Sequence, residues 1–140
     1  MVTAIRRNLS IQPETEGLRN IRAFISEVVR ASEIEENLCN RITLAIDEAV
    51  TNIIKHAYEE QRNDMIRITV DVNPKRFEVV IYDTGCSFNP KDVAAPDIQQ
   101  FVREGRRGGL GVFLMRKIMD EVEYVFQEGI RNELRMVKYL

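Results

Sequence analysis

A strand of alternating apolar residues, Phe77–Asp83, ends in Asp83-Thr84-Gly85, and a later glycine run, Gly108-Gly109-Leu110-Gly111, opens into a helical pattern. Upstream of both, a long helical stretch carries Glu48 and Asn52 one turn apart. This order constrains the fold more than any compositional total. The alternation of Met65–Val72 and of Phe77–Asp83 about the turn Asn73-Pro74-Lys75-Arg76 predicts an antiparallel hairpin with one face on a core. Helices with single apolar stripes then need that face to bury them. An α+β, two-layer architecture follows.

The remaining segments fill in this frame. Residues 4–11 read as a first strand. Leu18, Ile21, Ile25 and Val28 give residues 17–31 a helical spacing. Ser32-Glu33-Ile34-Glu35 reads as a capping box for the long helix, which runs to about Tyr58 with Leu38, Ile42, Ala45, Ala49, Ile53 and Ala57 as its stripe. Residues 84–108 lack periodicity and contain Pro90 and Pro96, the mark of a functional or mobile loop. Leu110–Val122 reads as a helix, and Val122–Glu128 with Glu133–Leu140 as a closing hairpin around Gly129. The predicted order is β-α-α-β-β-loop-α-β-β.

The chain has 140 residues, fitting one domain over residues 1–140 that needs neither disulfide nor structural metal. A net charge of -2 argues against general nucleic-acid binding. Cys39 and Cys86 have no metal-knuckle spacing and read as reduced thiols of a cytoplasmic protein. Neither a signal peptide nor a bilayer-length apolar run is expected, so no membrane partner is expected either.

Three constellations carry chemistry. Glu48 and Asn52 share a helix face at the edge of a core. A carboxylate there suits a general base, and an amide oxygen suits Mg²⁺. His56 continues the same face and is left without a role. Asp83, at a strand end, can accept a hydrogen bond from an exocyclic amine such as that of adenine, and Gly85 lets backbone approach a ring without a Cβ in the way. The commoner reading of Asp before Gly is a turn. Arg106, Arg107, Gly108, Gly109 and Gly111 run into a helix, offering amides, a positive helix end and guanidinium groups to phosphates. The plainer reading is a linker capping that helix. The run is neither a Walker loop nor a dinucleotide fingerprint.

Together these residues resemble the GHKL ATPases, the group of gyrase, MutL, histidine kinases and the small anti-sigma-factor serine kinases. The resemblance covers nearly the whole chain: Glu48-Ala49-Val50-Thr51-Asn52, Asp83-Thr84-Gly85 and Gly109-Leu110-Gly111 match three motifs in order. It is strongest to the anti-sigma-factor kinases, through His56-Ala57-Tyr58 after the first motif and Phe88-Asn89-Pro90 after the second. The resemblance implies a two-layer sandwich with a mixed, mainly antiparallel sheet, helices on one face and a mobile ATP lid at residues 90–108. It implies Glu48 as catalytic base, Asn52 as the Mg²⁺ ligand, Asp83 and Gly85 at adenine, and Arg107, Gly108, Gly109 and Gly111 at the phosphates. Two positions depart from the pattern. Ser87 stands where many members have a second glycine, and Arg131-Asn132 where many have Gly-Thr, which makes Asn132 a candidate contact near the base.

The function so implied is an ATP-dependent serine/threonine protein kinase and anti-sigma factor. It would phosphorylate a STAS-type antagonist and sequester a sigma factor. The alternatives are an ATP-binding partner-switch module without phosphotransfer, or a kinase of a non-sigma pathway. The single histidine and the absence of a helical hairpin oppose a histidine kinase. A homodimer is expected through the sheet face away from the helices. That face would hold Val80, Tyr82, Val125, Val137 and Tyr139 among Arg67, Thr69, Glu78 and Arg135, too apolar a set for water alone.

Overall fold

The computed structural model describes residues 2–59, 65–83, 114–127 and 131–140. Strand β1 (Ile5–Ile11) is followed by helices α1 (Thr15–Ala31) and α2 (Glu36–Glu59), then β2 (Ile66–Asn73), β3 (Arg76–Asp83), β4 (Glu121–Gln127) and β5 (Arg131–Tyr139). Residues 114–118 are also helical. The strands form one sheet in the order β1-β2-β3-β5-β4, with every described pairing antiparallel.

The mixed sheet expected from the sequence is therefore not found among the described strands, and the topology explains why. β3 and β4 run in the same direction, but β5 hairpins back from β4 and inserts between them. At the other edge, an up-and-down helix pair returns the chain so that β2 lies antiparallel to β1.

Alternation sorts the side chains. Ile66, Ile68, Val70 and Val72 of β2, Phe77, Val79 and Ile81 of β3, and Leu134 and Met136 of β5 are buried in one core with Ile21, Ile25, Val28 and Val29 of α1. α2 adds Ile42, Ala45, Ile46, Ala49 and Val50. Ile46 and Val50 widen its stripe beyond the narrow line read from sequence, and Leu38 and Ile53 sit at its margins. Gly17, in the first turn of α1, is buried where a Cβ would lie 2.5 Å from Gln12 O and 3.0 Å from Ile11 Cδ1. The helix and the end of β1 approach too closely for a side chain there.

Two local expectations change. Ser32 does not cap α2. It closes α1, fully buried, with Oγ donating to Val28 O at 2.7 Å and to Val29 O at 3.2 Å. Glu33 then takes φ 59, the left-handed conformation that turns the chain into α2. The helix expected to reach Val122 ends before β4. Asp120 N donates to Val137 O at 2.8 Å, and its carboxylate accepts from Tyr139 N at 2.6 Å and from Lys138 Nζ at 3.3 Å. The expected turn at residues 73–76 is present, with Asn73 Oδ1 accepting from Lys75 N and Arg76 N at 2.8 and 3.1 Å.

The outer sheet face is less open than its composition implies. Val80 and Val137 are 9% and 0% exposed, although no described helix covers them. Long charged side chains lie on this face around them. Arg135 Nε donates to Glu78 Oε2 at 3.0 Å, with Arg135 Nη1 3.7 Å from Glu123 and Arg76 Nη2 3.7 Å from Glu78. Val125 and Tyr139 remain exposed at 36% and 55%.

Candidate functional site

Topology gathers the predicted residues. β1 ends, β2 begins, β3 ends and β5 begins at the same edge row of the sheet, where Ile11 pairs with Ile66, Ile66 with Asp83, and Asp83 with Asn132. The parity of this row is that of Ile68, Ile81 and Leu134, so Asp83 and Asn132 lie on the helix side. α1 leaves from this end and α2 returns to it, which brings the second half of α2 toward Asp83. The chain departs into residues 84–113 from the same place.

Glu48, Asn52, Asp83 and Asn132 are all half-buried. Each rests on the core and is only partly covered, although the Oδ1 atom of Asn132 is itself buried. Ala49 and Val50, 1% and 0% exposed, anchor the helix between Glu48 and Asn52. Below Asp83 and Asn132 the next row of the sheet, Ile68, Ile81 and Leu134, is buried and apolar. A base held at this end would meet a carboxylate acceptor and an amide group above an apolar floor.

One ion pair beside the predicted residues was not read from the sequence. Arg22 of α1 clamps Asp47, the neighbour of Glu48, with Nε···Oδ1 at 2.6 Å and Nη2···Oδ2 at 3.1 Å. The bidentate geometry ties α2 to α1 at this point. The hydrogen bond to Asp47, and then its charge, raise the pKa of Arg22. No pattern in sequence links residues on different helices, and only Asp47's position beside Glu48 offered a hint.

Among the described residues no group of three His, Cys, Asp or Glu is placed to hold a metal by itself. Asn52 offers one hard amide oxygen, which fits Mg²⁺ held largely by phosphate and water rather than by a protein cage. Gly85, Arg107, Gly108, Gly109, Gly111 and the expected lid at 90–108 lie outside the described residues, as do Cys86 and the side chain of His56. Cys39 is a free thiol whose Sγ donates to Ile34 O at 3.3 Å, and burial pushes its pKa up. Among the described residues no helix is long and apolar enough to cross a membrane.

The chain as a whole has known relatives. Residues 11–138 match the histidine kinase-like ATPase domain. The chain is 32% identical over 140 residues to the serine-protein kinase RsbW of Bacillus subtilis, an alignment covering 97% of this chain and 85% of the relative. Its fold is similar to that of a chain in the SiaB–SiaC complex of Pseudomonas aeruginosa, with a TM-score of 0.71 at 15% identity, over 92% of this chain and 88% of the other. A second similar structure, of the RsbU and RsbW domains of a Mycobacterium tuberculosis protein, gives a TM-score of 0.64 at 12% identity, over 96% of this chain and 32% of that one.

Proposed function

The chain belongs to the histidine kinase-like ATPase domain family, and from that premise we propose that it is an ATP-dependent serine/threonine protein kinase and anti-sigma factor of a bacterial partner-switching pathway. What supports this reading is the topology, which runs α2 with Glu48 and Asn52 toward the sheet end where Asp83 pairs with Asn132, in a chain related over nearly its whole length to a serine-protein kinase.

Each residue then has a task. Asp83 accepts from the exocyclic amine of adenine, and Asn132 stands beside it as the second polar group at the base. Gly85 allows the ring's close approach. Arg107, Gly108, Gly109 and Gly111 serve the phosphates, with residues 90–108 as a lid. Asn52 would hold Mg²⁺, which when bound supplies positive charge against the phosphate oxygens. Glu48 accepts the proton of a serine or threonine hydroxyl as its oxygen bonds to the terminal phosphorus and the bond to the β-phosphate oxygen breaks. The Arg22–Asp47 clamp holds Glu48's segment of α2 in place during that transfer.

The acceptor is a STAS-type antagonist. Phosphorylation adds a charge of about -1.5 to -2, which weakens its docking and frees the kinase for a sigma factor. The kinase works in the cytoplasm as a homodimer through the outer sheet face, with residues 1–140 as one ATP-binding domain. The test is phosphotransfer. Purified protein, Mg²⁺ and γ-labelled ATP are mixed with STAS-domain proteins of the same genome, and the label is mapped by mass spectrometry. Label on a serine or threonine of one of them is expected. No label on any, with ATP bound, overturns the kinase reading.

A further inference from the structure

Leu44 stands on α2 one turn before Glu48 and is 43% exposed. Among the described side chains of α1 and α2 it is the only large apolar one so exposed. Helical geometry explains its direction. At 3.6 residues per turn, Leu44 lies roughly 200° around the helix from Ile42, the centre of the buried stripe. The core gains nothing from it, and a charged helix former would serve that position as well.

Its surroundings are also unusual in a chain that is 30% charged. Asn37, Asn40 and Thr51 are exposed and project from the same side of α2, at offsets of two turns before, one turn before and two turns after Leu44. With Leu44 they make an exposed strip of one apolar and three neutral side chains, flanked by Arg41, Asp47 and Glu48 and continued one turn beyond Thr51 by the exposed Lys55. An apolar centre, neutral hydrogen-bonding neighbours and a charged margin make up the usual anatomy of a protein interface.

The position selects the occupant. α2 runs toward the Asp83 end of the sheet, so Leu44 lies farther from that end than Glu48 does. A nucleotide seated between Asp83 and Glu48 has no need to reach it. A folded acceptor does. Its hydroxyl must come within about 3 Å of the Glu48 carboxylate, and residues four apart on a helix have Cβ atoms only about 6 Å apart. We propose that Leu44, with Asn40 and Thr51, is the docking ridge for the protein acceptor, an apolar patch on the acceptor's surface seating on Leu44 beside its phosphorylated hydroxyl. The proposal rests on the kinase reading above.

The experiment uses the full chain, the unphosphorylated STAS-domain proteins of the same genome, and labelled ATP. Acceptor concentration is varied for wild type, Leu44→Lys and Leu44→Met, with ATP affinity by calorimetry and Tm measured alongside. Leu44→Lys should raise the acceptor KM about tenfold or more, as expected on losing a buried interface contact. Its ATP affinity, its Tm and its kcat at saturating acceptor should match wild type, and Leu44→Met should restore most of the acceptor KM. An unchanged acceptor KM in Leu44→Lys overturns the ridge while leaving the kinase standing. A wild type that binds ATP yet labels no acceptor overturns the kinase reading and the ridge with it.

Discussion

Asp83 and Asn132 are Cα partners across the β3–β5 ladder, on the helix side of the sheet, at the end where α1 departs and α2 returns. A carboxylate only accepts, and the neighbouring amide, whose Oδ1 is buried, carries an Nδ2 donor, so the pair sets an acceptor beside a donor. Adenine, with an amine donor next to a ring acceptor, matches that pair, and guanine reverses it. Asp83→Asn is expected to weaken ATP binding about tenfold or more, the scale of one hydrogen bond to a charged group. GTP binding should change less. Calorimetry on wild type and variant checks both, and equal affinity of the wild type for ATP and GTP rules the assignment out.

Binding and chemistry separate along α2. Glu48→Gln keeps the size and polarity of the side chain but loses the proton acceptor, so ATP affinity should hold while phosphotransfer falls by about 10²-fold or more. Asn52→Ala removes the amide oxygen and should weaken ATP binding in Mg²⁺ but little in EDTA. A Glu48→Gln enzyme that phosphorylates its acceptor at the wild-type rate would place the base elsewhere.

Much of this arrangement is legible in the sequence because it depends on local periodicity. Alternation in Ile66–Val72 and Phe77–Ile81 assigns these residues to the buried face, and the structure places them there. What stayed hidden depends on pairing between distant segments. The insertion of β5 between β3 and β4 is set by how a hairpin docks, which no window of sequence records. Neither does the Arg22–Asp47 clamp have a local signature. The misread at Ser32 has a different cause. A serine three residues before a glutamate matches the start of a helix, yet the same hydroxyl can donate backward to the carbonyls of the helix just ended, as it does here.

That corner yields a stability prediction. Glu33 holds φ 59, where a side chain is strained and glycine is not. Glu33 is exposed and makes no described side-chain contact that would be lost. Glu33→Gly is therefore expected to stabilise the fold by about 0.5–1 kcal/mol, since the relief of strain outweighs the extra freedom of the unfolded chain. A rise in the denaturation midpoint at constant m-value supports this, and a fall overturns it.

Burial raises the pKa of Tyr124 above its ordinary 10.0, with the charge of Arg116 opposing. The neutral phenol is favoured in the folded state, so its contribution is fully present below the unfolded pKa and is lost as pH rises through the folded one. Tm should thus decline above about pH 10. In Tyr124→Phe the decline should be shallower, because one group whose ionisation opposes folding is gone. Melting curves between pH 8 and about 11 test this, and identical slopes for the two proteins reject it.

Self-association is the remaining consequence of the sheet. Val80 and Val137 are already buried within one chain, so a dimer through the outer face would rest on a smaller apolar set, with Val125 and Tyr139 as its exposed members. Tyr139 is held in place, its hydroxyl donating to Glu121 Oε2 at 2.6 Å and its backbone N–H to Asp120 Oδ2 at 2.6 Å. The hydrogen bond to Glu121 raises its pKa, so it remains a neutral phenol near pH 7. An ordered, neutral aromatic ring loses little entropy on docking and suits an interface centre. Light scattering at micromolar concentration should give twice the 16.2 kDa chain mass, and a mass near 16.2 kDa rejects the dimer. Tyr139→Glu should shift the protein toward monomer, since it places a new carboxylate beside Glu121 and Asp120. ATP affinity should be unchanged, because Tyr139 lies on the sheet face opposite Asp83 and near the other end of β5.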